Sequence, residues 1–315
     1  MTETTTRKAW WGWVVRLAGT VVVLALLFYI LPFEELWRTM RRISLPAWLL
    51  VLAGYTSLHL MAIIKWRIMV NLAGAGLNYP QAARCYFAGL FGNLFLPSLV
   101  GGDVIRAGMA LKLGKSKAGV LLGSLLDRML DVAALTSVAA LGALLIPGHL
   151  EPQVARTFRV VLALLGLGGL AGLGLVWLVL RRRLSFRIRR KLVRVRTAAR
   201  KMARQPARVL LAWILGLTFQ ASLVLLMTRI AAECGLFAPL SAWLFAYPMA
   251  KLAGLLPVTQ GGIGVREAAL AVLLVPFGAP PVLTVAAGLV WETIVYTAAL
   301  AGGVFLLFAG RRNSA

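Results

Sequence analysis

Acidic residues are scarce in this chain of 315 residues: ten Asp and Glu stand against 34 Lys and Arg, for a formal net charge of +24. Charge of either sign is thin, at 14% of residues, while 60% are hydrophobic. Soluble domains of this size are not built from such a composition, and apolar runs that recur from end to end mark a polytopic membrane protein. Runs near twenty residues cross a bilayer as helices, so the fold class is all-α. Cysteine and histidine are rarer still, with two each: Cys85, Cys234, His59 and His149. No metal-ligand spacing surrounds them, and the topology below puts the cysteines on opposite membrane sides, which excludes a disulfide between them. The histidines read as a helix-packing and a loop residue. Neither a metal nor a cofactor is expected. In a soluble protein the basic excess would suggest nucleic acid. In a membrane chain it suggests an anionic lipid surface, and no nucleic-acid partner is expected.

The chain does have a break that occurs twice inside its apolar segments. Asn93-Leu-Phe-Leu-Pro97-Ser-Leu-Val-Gly101-Gly102-Asp103-Val-Ile-Arg106 and Leu256-Pro257-Val-Thr-Gln-Gly261-Gly262-Ile-Gly-Val-Arg266 share the frame Leu-Pro-x3-Gly-Gly-x3-Arg. The offset is a constant 160 residues: 97 and 257, 101 and 261, 102 and 262, 106 and 266. Interrupted apolar segments at matching places in two halves point to a transporter's midplane site.

Six spans are expected: Trp10–Leu31, Leu45–Ile64, Ala118–Ile146, Phe158–Leu180, Val209–Ile230 and Val282–Phe308. The first follows Arg7 and Lys8 and has no small-residue cleavage site after it, so it reads as an uncleaved signal-anchor helix. Arg84–Leu96 and Asp103–Leu111 are each shorter than the ~20 residues a span needs, and read as two arms of a re-entrant hairpin over 84–111. A second hairpin covers 240–275. Arg181–Arg208 forms a basic cytoplasmic loop, read as an interfacial segment on anionic lipid.

The positive-inside rule fixes the orientation. With the N-terminus inside, the cytoplasm receives 23 of the 34 basic residues, thirteen of them in the basic loop, and the outside six. A full span in place of either hairpin would invert every later segment of the chain. The expected architecture is therefore a single membrane domain in two repeats, 10–146 and 158–308. Each repeat is span, span, hairpin, span, the second upside down, with both termini in the cytoplasm of a cell that carries this chain in its inner membrane.

Glycine pairs let another group approach the backbone closely, and helix N-termini offer N–H groups and a positive dipole end to an anion. Arg106 and Arg266 lie within a turn of the half-helices expected from Asp103 and Ile263, and guanidinium matches a phosphate oxygen pair. The candidate substrate-binding residues are thus Asn93, Pro97, Gly101, Gly102, Asp103, Arg106, Pro257, Gly261, Gly262, Arg266 and Glu267. The plain alternative is that Asp103 caps its helix and salt-bridges Arg106 across i, i+3. A second polar set comprises Asp127, Arg128, Asp131, Lys251 and Glu292. Asp127 and Asp131 share a helix face. Intramembrane acids are candidate proton or cation sites; the alternative is a fixed network joining Arg128 to Glu292 or Glu267.

NLFLPSLVGGDVIRA, LLDRMLD and LLPVTQGGIGVREAAL together resemble the signatures of the lysylphosphatidylglycerol synthase transmembrane family, also called flippase-like domain proteins. The resemblance extends over nearly the whole chain. It implies lipid translocation. The short tail after the last span leaves no room for the soluble aminoacyl-transfer domain, so a stand-alone membrane part is expected. The leading expectation is a transporter for an anionic phospholipid, an aminoacyl-phospholipid or a polyprenyl-phosphate-linked glycolipid, and not an enzyme. A membrane-embedded transferase, with Asp103 or Glu267 as base, and a small-solute carrier or accessory subunit are the alternatives. A second copy of the chain and a lipid-synthesis enzyme are the candidate protein partners.

Overall fold

The computed structural model describes residues 21–95 apart from 28, together with 101–146, 204–255 and 259–311 and a few isolated positions; these are helical and contain no strand. The first half gives α1 Phe33–Arg41, α2 Leu45–Leu72, α3 Tyr79–Gly92, α4 Gly101–Leu113 and α5 Lys117–Leu145. The second half gives α6 Pro206–Glu233, α7 Leu240–Ala253, α8 Val265–Leu274 and α9 Pro281–Arg311. Four helices, α2, α5, α6 and α9, are long and apolar enough to cross a membrane, so the chain is a multi-pass membrane protein. Residues 21–27 and 29–30 of the expected first span are helical. The expected fourth span and most of the basic loop lie outside the described residues.

α1 falls between the expected spans, where the apolar pattern gives no helix. Pro32 precedes it, Glu34 and Arg38 pair on its outer side, and Leu36 turns inward onto Val285 and Ala286. α2 runs past the expected end at Ile64. Lys65-Trp66-Arg67 has the look of an interfacial stop, yet Lys65 is buried at 3% exposure and Trp66 at 0%. The helix ends instead at a glycine turn, where Gly74 has φ +96° and the Ala75 N–H donates to the Val70 carbonyl at 2.9 Å. α6 ends in the same way, with Gly235 at φ +76° and the Leu236 N–H on the Ala231 carbonyl at 2.9 Å. Both turns use the left-handed glycine that closes many helices.

The short helices form two pairs. α3 starts at Tyr79 rather than Arg84, because the Asn78 side chain accepts from the Gln81 N–H while the Gln81 side chain accepts from the Asn78 N–H, a reciprocal cap. It stops at Gly92, and α4 begins at Gly101, two residues before the expected Asp103. Beyond α4 the Lys115 N–H donates to the Ala75 carbonyl at 2.8 Å, so the pair leaves from and returns to one end of the bundle. At its other end α3 and α4 nearly touch: a Cβ on Gly102 would lie 2.2 Å from the Gly89 carbonyl oxygen. Fourteen helical residues span about 21 Å, short of the ~30 Å hydrocarbon core. In the second pair α8 starts at Val265, not Ile263. Gly261, Gly262 and Gly264 all have positive φ (+64°, +77° and +82°) and delay it.

The two halves match in helix length: 28, 14, 13 and 29 residues in α2 to α5, then 28, 14, 10 and 31 in α6 to α9. α2 packs on α6, α7 on α5 and α3 on α9, so the first arm of each pair lies on the closing helix of the other half.

Candidate functional site

One stripe of α5 builds the first part of the site. Gly119, Gly123, Asp127 and Asp131 succeed each other at four-residue intervals and share a face. A Cβ on Gly119 would lie 2.6 Å from the Ala73 carbonyl oxygen, and one on Gly123 2.4 Å from the Val70 Cα. This small-residue contact draws α5 against α2 and carries the two acids to Lys65. The Lys65 Nζ donates to Asp127 Oδ1 at 2.6 Å and Asp131 Oδ1 at 2.8 Å. Asp127 Oδ2 accepts from Arg106 at 3.4 Å, Arg106 also pairs with Asp103 at 2.9 Å, and Asp103 in turn pairs with Arg128. The Arg106 guanidinium lies over the Trp66 ring, 4.9 Å from its centre.

The second part hangs on Arg266. It pairs with Glu267 at 3.0 Å and with Glu292 on α9. Gly288, one turn before Glu292, makes room: a Cβ there would lie 2.7 Å from Glu267 Cγ. The Glu267 carboxylate also accepts the Gly264 N–H at 2.6 Å. In the first pair the Gly102 N–H donates to Asn93 Oδ1 at 2.8 Å. At the start of each of α4 and α8 one N–H is therefore satisfied by a side chain.

Both parts open on one cavity of about 200 Å³, lined among others by Gly102, Asp103, Arg106, Asp127, Arg128, Asp131, Lys251, Gly261 and Arg266. The structure thus brings Arg106 and Arg266, one from each Gly-Gly frame, to a shared space; the first pair, Gly101-Gly102, is the opening of α4 and not a turn. Asn93 also lines it. Pro97 and Pro257 lie outside the described residues. Lys251 donates to Gln220 Oε1 at 3.0 Å and lies 5.9 Å from the Phe219 ring centre. Among the described residues it is the cavity cation without a carboxylate partner. Asp103 lies in the first turn of α4, and its salt bridge to Arg106 is the i, i+3 pair that the spacing allows. Arg128 joins Asp103, and Glu267 and Glu292 pair with Arg266.

Sequence reasoning missed Lys65, His59, Tyr55, Tyr86 and Gln220, all on the cavity wall. His59 is buried, with Nδ1 3.2 Å from the Tyr86 hydroxyl and its ring edge-on to Tyr55. The signal for Lys65 was present: two acids one turn apart on an apolar helix need a cation, and Lys65 ends the apolar run that precedes them. Among the described residues no cluster of His, Cys, Asp and Glu could hold a metal ion.

Fold and cavity define a class, the helical multi-pass membrane protein with a charged cavity buried among its helices. The sequence profile of the lysylphosphatidylglycerol synthase TM region matches residues 13–303, and the chain belongs to that family. Comparison with curated proteins returns no match.

Proposed function

We propose that the protein moves a lipid with an anionic headgroup between membrane leaflets, the headgroup entering the cavity while the acyl chains stay in the bilayer. The observation that carries the reading is the shared cavity: five cationic side chains, Lys65, Arg106, Arg128, Lys251 and Arg266, line it, and one residue from each Gly-Gly pair meets there. Charges in an apolar bundle are costly and mark substrate pathways. The matched helix lengths and the crossed packing of α3 on α9 and α7 on α5 support an inverted repeat with two re-entrant hairpins, the arrangement in which one repeat rocks against the other around a central site. On this reading the membrane is the cell's inner membrane, the termini are cytoplasmic, and the protein transports rather than modifies its lipid. Arg106 and Arg266 exchange a carboxylate for the headgroup as access alternates.

The test is reconstitution with fluorescent phosphatidylglycerol. Transfer between leaflets with the lipid chemically unchanged is the expected outcome. A new lipid product on chromatography would replace the transporter with a transferase, and no transfer of any anionic lipid would remove the reading.

A further inference from the structure

Among the described residues ten charged side chains, buried or partly buried, make up the network, and they balance. Lys65, Arg106, Arg128, Lys251 and Arg266 face Asp103, Asp127, Asp131, Glu267 and Glu292. The balance is not local. The three aspartates share three cations, whereas the described ion pairs of Glu267 and Glu292 both go to Arg266. Arg266 lines the cavity, and the two glutamates do not, so the guanidinium stands between the cavity and both carboxylates.

We propose that an anionic headgroup binds together with a proton, and that Glu292 takes the proton. A monoanion entering a balanced network leaves one uncompensated negative charge in an apolar interior, which is costly. Arg266 can receive the headgroup only by giving up a carboxylate. Glu267 is the one it keeps, because that carboxylate already accepts the Gly264 N–H and both Arg266 Nε and Nη2, at 2.6, 3.2 and 3.0 Å. Glu292 has the guanidinium alone as its described ion-pair partner and is 8% exposed. The exchange is balanced: the Glu292 carboxylate gains a proton, its ion pair to Arg266 opens, and a phosphate oxygen takes its place. This proposal rests on the anionic-headgroup reading and adds the coupling ion to it.

The other titratable groups around this point come from the helices packed on α8 and α9. They are Tyr55 and His59 on α2, Tyr86 on α3, Tyr247 and Lys251 on α7, and Tyr296 on α9 itself. α6 contributes Gln220, which does not titrate, to the same cavity. Of these, His59 is the group whose ordinary range overlaps neutral pH, so it is the rival proton acceptor that the test must separate.

Calorimetric titration of the purified protein with short-chain phosphatidylglycerol, in two buffers of different ionisation enthalpy, counts the protons taken up per headgroup. About one is expected for the wild type, with affinity falling about tenfold per pH unit on the alkaline side. Glu292→Gln should bind with no uptake and no pH dependence; loss of the uptake in His59→Gln with its retention in Glu292→Gln would make His59 the acceptor and overturn the proposal. Zero uptake in the wild type, or uptake that persists in Glu292→Gln, overturns the proposal; the wild-type count decides alone if that variant does not fold. Absence of binding at every pH removes the anionic-headgroup reading as well. Leaflet transport without proton uptake leaves that reading standing and removes this one.

Discussion

Lys65 and Lys251 are both lysines on the cavity wall, and their surroundings predict opposite consequences of removal. Lys65 holds Asp127 and Asp131 at 2.6 and 2.8 Å. Lys65→Met would leave buried acids short of their cation, a loss of about 3–5 kcal/mol, seen as a fall in melting temperature in detergent. Asp131→Asn in the same chain should recover part of it. Lys251 donates to a neutral amide, so Lys251→Met orphans no carboxylate. The expected outcome is a smaller fall in melting temperature than Lys65→Met causes, together with lost leaflet transport of anionic lipid. A variant that melts early but still transports would make Lys251 a structural residue. The same contrast explains what the sequence hid. Asp127 and Asp131 stand out because acids are rare in apolar helices, whereas a lysine at the edge of an apolar run looks like every lysine that follows the positive-inside rule. Only the packing of α2 on α5 through Gly119 and Gly123 distinguishes them.

At the level of helices, both Pro-x3-Gly-Gly frames were legible because they interrupt apolar sequence at a fixed spacing, and each frame separates two short helices. The ends of those helices were less legible. The α3 start depends on the Asn78–Gln81 cap and the α8 start on three positive-φ glycines, neither of which changes hydrophobicity. α1 was hidden because nine residues of mixed polarity between spans read as loop. The glycines of α4 give a direct test. A Cβ on Gly102 would lie 2.2 Å from the Gly89 carbonyl oxygen and 2.4 Å from Asn93 Oδ1, while one on Gly108 would meet nothing within 4 Å. Gly102→Ala must therefore push α3 and α4 apart, and a loss of about 1 kcal/mol or more is expected, of the order that overpacking costs. Gly108→Ala, further along the same helix, should be neutral or stabilising by about 0.5–1 kcal/mol. Melting curves on the two variants check the pair, and equal effects would mean that helix propensity rather than the close approach governs the site.

For the whole molecule, the decisive question is where the ends of the two short-helix pairs lie in the membrane. The Lys115 N–H on the Ala75 carbonyl ties the exit of the first pair to its entrance, so the re-entrant reading puts Tyr79 and Lys115 on the same side. An inverted repeat puts Phe237 and Pro280, the corresponding ends of the second pair, on the other. Single cysteines at these four exposed positions can be read with an impermeant thiol reagent, because the native thiols are silent. Cys85 and Cys234 are both buried, and burial, aided by the nearby Glu233 charge, pushes the Cys234 thiol up to about 12, far from the thiolate form that reacts. With the N-terminus inside, Tyr79→Cys and Lys115→Cys should stay unlabelled in intact cells and react after permeabilisation, while Phe237→Cys and Pro280→Cys react from outside. Tyr79 and Lys115 labelling from opposite faces would make α3 and α4 cross the membrane and end the re-entrant reading. All four labelling from one face would keep the hairpins but end the inversion. The Arg106 and Arg266 turns would then no longer approach the cavity from opposite leaflets, and a rocking exchange of the headgroup between them would have no geometric basis.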